Sequence, residues 1–355
     1  MTSRLTAFTG ILAAASALLL LAGCAAAPTT PAAKPTSSFC ARMVTNSGGL
    51  NDRSFNQSSW EGMQRAEKEL GISARVLVSN SATDLEPNVQ QAVDSNCGFV
   101  LTVGYELTPS TVTAAKANPG TDFAIVDDVA DAPNIKPIVF DTAQAAYLAG
   151  YLAAGVSKTG KVATFGGGNQ PPVTLFMDGF VDGVAKYNEV HKTHVQALGW
   201  NKAKQDGQFT GDFDNIGKGK TLTNTLINSG ADVILPVAGQ VGEGAAAAAL
   251  AAGNVSVIWV DNDGYNTLPA KYKPIVLTSV MKNTGDAVVA ITKSVQDKSF
   301  TNTPYVGTLE NGGVAIAPFH DLAGSVPAAL EAEVTQLQKD IIAGTITVTS
   351  PSTPK

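Results

Sequence analysis

The stretch Gly48–Gly62, GGLNDRSFNQSSWEG, decides how this chain is read. It follows an apolar run containing Ala41, Met43 and Val44 and precedes a helical pattern. A strand that enters a glycine pair and then a helix presents backbone N–H groups at a ligand-sized crevice. Gly48 and Gly49 supply a turn that few side chains could adopt. The loop then offers an amide, a carboxylate, a guanidinium, a ring and a second amide: Asn51, Asp52, Arg53, Phe55 and Asn56. Asp52 and Arg53 are expected to pair with each other within the loop. Ser58 or Ser59 is the expected N-cap, with Trp60, Met63, Ala66, Glu67 and Leu70 forming one mostly apolar stripe. The plain alternative is an ordinary strand-to-helix loop with polar filler.

Working outward, strand and helix patterns alternate. Strands are expected at Arg75–Val78, Gly98–Val103, Phe123–Val126 and Ile138–Phe140, with helices at Glu86–Val93 and Ser110–Ala117. Short apolar strands separated by helices predict a parallel sheet covered on both faces. Function in such sheets sits where the strands end, and here those ends carry Asn46, Tyr105 and Asp127. After Asp141 a helix rich in small residues (Ala145–Ala154) opens a second round. Its strands are Val162–Phe165, Val195–Leu198, Val233–Val237, Val255–Val260 and Ile275–Val280, with helices around Phe176–Tyr187, Gly219–Asn228 and Gly244–Ala252. Gly166–Gly168 reads as a tight turn, since no Lys-Ser/Thr follows to make it a phosphate cradle. The expected fold is therefore α/β: two doubly wound parallel-sheet lobes joined by a hinge, like type I periplasmic binding proteins. Residues 39–141 and 283–299 are assigned to the first lobe, and 142–282 and 300–349 to the second. The end reads as an amphipathic helix, Val326–Ile342, and a short strand, Ile346–Val348.

The N-terminus predicts export. Arg4 precedes an Ala/Leu run from Ile11 to Ala22 that ends in Leu21-Ala22-Gly23-Cys24. A short apolar core followed by small residues reads as a secretory signal over residues 1–23, too short for a comfortable membrane span. Small residues abutting a cysteine make Cys24 the expected lipid acceptor. Residues 24–38, rich in Ala, Pro, Thr and Ser, form an extended tether that cannot bury a core. Such a protein would sit on the outer face of the cell membrane. The whole chain is 44% hydrophobic and 15% charged with a net charge of −6, which argues against nucleic-acid binding. With Cys24 lipidated, Cys40 and Cys97 remain; in an exported protein they read as a disulfide, or alternatively as two buried thiols.

The opening stretch also resembles the signature of the basic membrane protein family, the purine-nucleoside-binding lipoproteins of ABC uptake systems, which carry GG-[IV]-D-D-K-S-F-N-Q-x-x-W-x-G. The resemblance continues through AAYLAGYLAA, FGGGN…MDGFVDGVAKYN, GADVILPVAG, VDND and LTSVMK, in the family's order. It implies base-stacking rings at Phe55 and Phe213, ribose contacts from Asp127, Asp261 and Lys282, and a backbone contact at Gly239. A planar base gains from stacking on both faces, vicinal hydroxyls suit paired carboxylates, and a lysine offsets the two negative charges. Such a set spans both lobes, so occupancy favours closure. Two positions depart from the pattern: Asn46 and Asn51 stand where relatives carry Asp. An amide donates as well as accepts, so Asn46 changes what the site asks of a base.

The residues taken alone leave alternatives. Phe213 could be core, Phe55 could staple the following helix, and Asp127 could cap one. The implied function is capture of a nucleoside, most readily a purine one, and its delivery to an ABC permease. The protein would act as a monomer with no cofactor or metal. A sugar ligand, a surface sensor or a nucleoside-processing enzyme are the competing readings. Against an enzyme, His191, His194 and His320 have no metal spacing, and neither a nucleophile elbow nor a spare cysteine is present.

Overall fold

The structure is a computed structural model, and it describes residues 39–354. The expected signal (1–23), the tether (24–38) and Cys24 lie outside those residues. In the first half, strands β1 (Cys40–Thr45), β2 (Ser73–Leu77), β3 (Phe99–Val103), β4 (Asp122–Val126) and β5 (Ile135–Phe140) alternate with helices α1 (Phe55–Leu70), α2 (Leu85–Asp94) and α3 (Thr108–Ala117). Then come α4 (Thr142–Val156), β6 (Lys161–Gly166), α5 (Pro171–His191), β7 (Gln196–Leu198) and a small hairpin of β8 (Trp200–Asn201) and β9 (Asp206–Gly207). They are followed by α6 (Ile216–Asn228), β10 (Val233–Val237), α7 (Gly242–Ala252), β11 (Ser256–Asp261), α8 (Gly264–Thr267) and β12 (Val276–Lys282). The chain ends with α9 (Thr284–Gln296), β13 (Tyr305–Gly307), β14 (Val314–Ile316) and α10 (Ala328–Ile342).

Two six-stranded sheets result, ordered β2-β1-β3-β4-β5-β13 and β7-β6-β10-β11-β12-β14. All neighbours run parallel except β14, which is antiparallel to β12. Every residue of β3 (FVLTV) and β10 (VILPV) is buried, as central strands covered by helices on both faces require. In each sheet the order reverses beside the first strand, between β1 and β3 and between β6 and β10. A crevice forms at such a switch point, beyond the carboxyl ends of the strands.

The chain crosses between lobes after β5, after β12 and again between β13 and β14. Helix α9 returns to pack on α1, where Gly62 meets Gly285 so closely that a Cβ on Gly62 would lie 2.5 Å from the Gly285 Cα. The buried residues of α1 are Asn56, Ser58, Ser59, Gly62, Met63 and Ala66, while Glu67 stays exposed. The assignment of all residues from 300 onward to the second lobe is corrected: Tyr305–Gly307 pairs with Ile138–Phe140 and extends the first sheet. Three residues carry too weak an alternation for the sequence to register a strand there. Residues 346–348 form no strand; that segment leads into the C-terminal tail, which Ser350 ties to the buried Asp178 at 2.6 Å.

Cys40 and Cys97 are joined by a disulfide. It sits where β1 and β3 begin side by side, with Ala41 paired to Phe99. Among the described residues no helix is long and apolar enough to cross a membrane.

Candidate functional site

Helix α1 begins at Phe55, so Ser58 and Ser59 lie inside it and do not cap it. Asp52 does that work. Its carboxylate accepts the backbone N–H groups of Ser54 (3.0 Å), Asn56 (2.7 Å) and Gln57 (3.1 Å), which would otherwise be orphans of the first turn. Asp52 is almost fully buried, and burial pushes its pKa up to about 7 against the pull of those three donors. The expected Asp52–Arg53 pair does not form. Arg53, at φ 59°, turns away to the second lobe, where it meets Glu243 at 3.3 Å and the Thr267 carbonyl at 3.1 Å. Its own carbonyl accepts from Trp259 Nε1 and from the Thr267 hydroxyl, each at 3.1 Å. Asn262 Nδ2 donates to the Ser54 carbonyl at 2.9 Å, and the Ser54 hydroxyl bonds the Asp261 carboxylate. Loop 52–54 thus fastens one lobe to the other.

Between the lobes lies a cavity lined by aromatic rings, carboxylates and one ammonium group. Eight of the nine expected ligand residues line it: Asn46, Phe55, Tyr105, Asp127, Phe213, Gly239, Asp261 and Lys282. The ninth, Asn56, does not. It is fully buried behind the wall, where its Nδ2 donates to Asn46 Oδ1 at 2.7 Å and to the Gly49 carbonyl at 2.8 Å. Its amide nitrogen is spent on positioning its neighbours, while its Oδ1 is buried with no partner among the described residues.

Lys282 is the electrostatic centre. Its Nζ, from the end of β12, lies 2.6 Å from Asp127 Oδ2 across the cleft and 3.7 Å from Asp261 Oδ1. The ammonium also stands 4.5 Å from the centre of the Phe55 ring, a cation–π contact. An almost fully buried ammonium is tolerable only with such partners. Burial raises the pKa of Asp127, and Lys282 works against that rise. Asp127 and Asp261 both have positive φ (72° and 67°), a conformation that costs a non-glycine residue about 1–3 kcal/mol and persists where the surroundings demand it. Asp127 therefore does not cap a helix; it is aimed at Lys282.

Phe213 comes from the loop between β9 and α6 and packs beside the glycine run. A Cβ on Gly167 would lie 2.4 Å from the Phe213 ring, and one on Gly168 would lie 3.2 Å from it. Gly167 and Gly168 are thus the seat of the Phe213 ring, and Gly166 that of Phe209, so the run is not merely a tight turn. Gly239, at φ 53°, brings bare backbone to the cavity beside Phe213, where a Cβ on it would lie 3.9 Å from the ring. Two lining residues, Glu106 and Gln170, escaped the sequence reading; Gln170 Nε2 donates to Glu106 Oε1 across the cleft at 2.7 Å. Glu106 lies three residues beyond the end of β3, and the rule that polar residues at strand ends build the site would have found it had it been carried past Tyr105.

Two α/β lobes with facing switch points, fastened over a cavity of rings and charges, define a hinged binding protein for a small molecule. The chain belongs to the Bmp family: the model for PnrA-like ABC transporter substrate-binding proteins matches residues 40–351. It is 33% identical, over 95% of its length and 97% of the relative's, to the ABC transporter nucleoside-binding protein BmpA of Lactococcus lactis subsp. cremoris. A CD4+ T-cell-stimulating antigen of Listeria monocytogenes is 31% identical over 89% of each chain. Among solved structures, an ABC transporter solute-binding protein from Aeropyrum pernix superposes with a TM-score of 0.78 at 22% identity, covering 88% of this chain and 94% of that one. The chain is an ABC transporter substrate-binding protein of this family.

Proposed function

We propose that this protein is a lipid-anchored receptor on the outer face of the membrane that captures a nucleoside between its lobes. It then delivers the ligand to an ABC permease. The observation that carries this reading is the conjunction of Phe55 and Phe213 with the Asp127–Lys282–Asp261 cluster in one interlobe cavity. The rings offer stacking surfaces to a planar base. The paired carboxylates accept hydrogen bonds from the two hydroxyls of a ribose, and Lys282 holds Asp127 and Asp261 toward the same point of the cavity. Carboxylates outnumber ammonium groups in the cavity, since Asp52, Glu106, Asp127 and Asp261 face only Lys282. That balance favours an uncharged nucleoside over a nucleotide. The nucleoside-binding name of the lactococcal relative supports the same ligand class. Cys24 would supply the anchor and the 24–38 segment the reach. The part played by the protein is binding and hinge closure, with no covalent step, as a monomer and without cofactor.

The test is a thermal-shift and calorimetric screen against nucleosides, bases, nucleotides and sugars. A ligand that binds only the folded form raises the unfolding midpoint by several degrees at saturating concentration. The expected result is a shift with nucleosides that Phe213→Ala weakens by roughly 1–3 kcal/mol and Asp261→Ala also weakens. A shift with sugars alone would leave the fold in place and overturn the nucleoside reading.

A further inference from the structure

Beside Gly104, on the first-lobe side of the cavity, two polar groups have no protein partner among the described residues. One is the amide nitrogen of Asn46. Its orientation is forced by two backbone groups whose roles cannot be exchanged: the Gly48 N–H can only donate, and the Gly49 carbonyl can only accept. Asn56 therefore turns its Nδ2 to Gly49 O (2.8 Å), and the same nitrogen donates to Asn46 Oδ1 (2.7 Å). That oxygen also takes the Gly48 N–H at 3.0 Å. Asn46 Oδ1 is thus fully engaged, and its Nδ2 makes no hydrogen bond among the described residues. The other group is Glu106. Its Oε1 is held by Gln170 of the opposite lobe at 2.7 Å, while Oε2 has no partner among the described residues. The two free groups lie over the same spot of backbone: a Cβ on Gly104 would stand 3.4 Å from Asn46 Nδ2 and 3.1 Å from Glu106 Oε2. Position 104 carries φ 128° and has no side chain to cover them.

We infer that Glu106 is a specificity-determining residue, which together with Asn46 reads one edge of the bound base. The pair presents an amide donor beside a carboxylate acceptor. Its complement is an edge on which an acceptor atom adjoins an N–H donor, such as a ring nitrogen next to an exocyclic amine or a carbonyl next to a ring N–H. Asn46 donates to the acceptor and Glu106 takes the donor. Gln170 holds Glu106 in place and does so only when the lobes meet, so the edge is read by the closed protein. This inference rests on the nucleoside reading above.

The experiment is calorimetry of the purified protein with adenosine, inosine and purine riboside; the last keeps the rings and the sugar but has neither the exocyclic amine nor the ring N–H. Glu106→Ala and Glu106→Gln, both checked for native unfolding midpoints, are expected to weaken adenosine or inosine roughly ten- to a hundredfold. Purine riboside should change by no more than about twofold, because it has no donor for the carboxylate to take. Gln170→Ala removes the interlobe bond and keeps Oε2, and it should weaken all ligands by one common factor. Equal losses for all three ligands in the Glu106 variants, or no loss, would overturn the inference while leaving nucleoside binding intact. A wild-type protein that binds none of the three overturns the nucleoside reading first, and this inference with it.

Discussion

The first five strands of the two sheets share their order and direction, and the two lobes differ in what they do with them. Strand β4 holds the same place in the first sheet as β11 in the second, and each delivers an aspartate with positive φ, Asp127 and Asp261. The turns after β3 and β10 are both short 3-10 segments, over Tyr105–Leu107 and Gly239–Val241. Yet where β1 leads into Asn46, whose side chain enters the cavity, β6 leads into Gly167 and Gly168, bare glycines against which the ring of Phe213 lies. At this one position the first lobe presents a hydrogen-bonding side chain and the second an aromatic face. Doubling a fold thus supplies two equivalent crevices, and different residues at equivalent positions turn them into one site, to which each lobe gives a ring (Phe55, Phe213) and a carboxylate (Asp127, Asp261).

The two aspartates also find their partners differently. Asp127 has an ammonium from the opposite lobe; Asp261 has a hydroxyl from the opposite lobe and the same ammonium at longer range. The sharpest way to break this arrangement is Lys282→Met, which strands both carboxylates in a buried place. It should cost about 3 kcal/mol or more of stability in urea unfolding and abolish ligand binding. Adding Asp127→Asn should return at least half of the lost stability, because one unpaired charge then disappears. If the double variant is no better than the single one, Lys282 acts by packing and not by charge.

Asp52 offers a second lever. Its pKa is raised on folding from the ordinary carboxylate value of 3.8 to about 7, so the folded form binds more protons than the unfolded form between those limits. Its contribution to stability is therefore fully present below about pH 4 and is lost as the pH rises through about 7. Unfolding midpoints of wild type and Asp52→Asn, compared across that window, should show the wild type's advantage shrinking with a limiting slope of about 1.4 kcal/mol per pH unit. A constant difference would mean that Asp52 stays ionised in the cap.

Smaller effects should separate the interlobe bonds from one another. Ser54→Ala removes the hydroxyl that Asp261 holds and is expected to weaken ligand binding by about 1–2 kcal/mol, with the loss in the dissociation rate measured by stopped flow. Arg53→Ala breaks a half-exposed pair with Glu243 and should change affinity by less than about 1 kcal/mol, with most of the change removed by high salt. An Arg53 effect larger than that of Ser54 would move the main fastening from the aspartates to the loop.

The order of strands and helices was legible because periodicity and glycine punctuation are local properties. The strands ending at Asn46, Asp127 and Asp261 could be placed within a few residues, and with them the level at which the site would lie. Strand β13 was not legible: Tyr305–Gly307 becomes a strand only by pairing with β5, a contact made across some 165 residues of intervening chain. The cap of α1 was misplaced for a related reason. Serines favour N-caps, but Asp52 reaches three backbone donors at once, and only the path of the loop reveals that.

By itself the sequence determined the α/β class, the doubling of the lobes, the family, and most of the residue types that line the cavity. These follow from patterns repeated over short distances and from one long motif. Only the tertiary structure decided which groups are left free to meet a ligand. Asn56 is consumed in holding Asn46, Arg53 leaves Asp52 for Glu243, and Glu106 keeps one oxygen open beside the Asn46 amide. A hydrogen bond is a statement about two partners in space, and each such group has a choice of partners that the chain settles only when both lobes have folded and met.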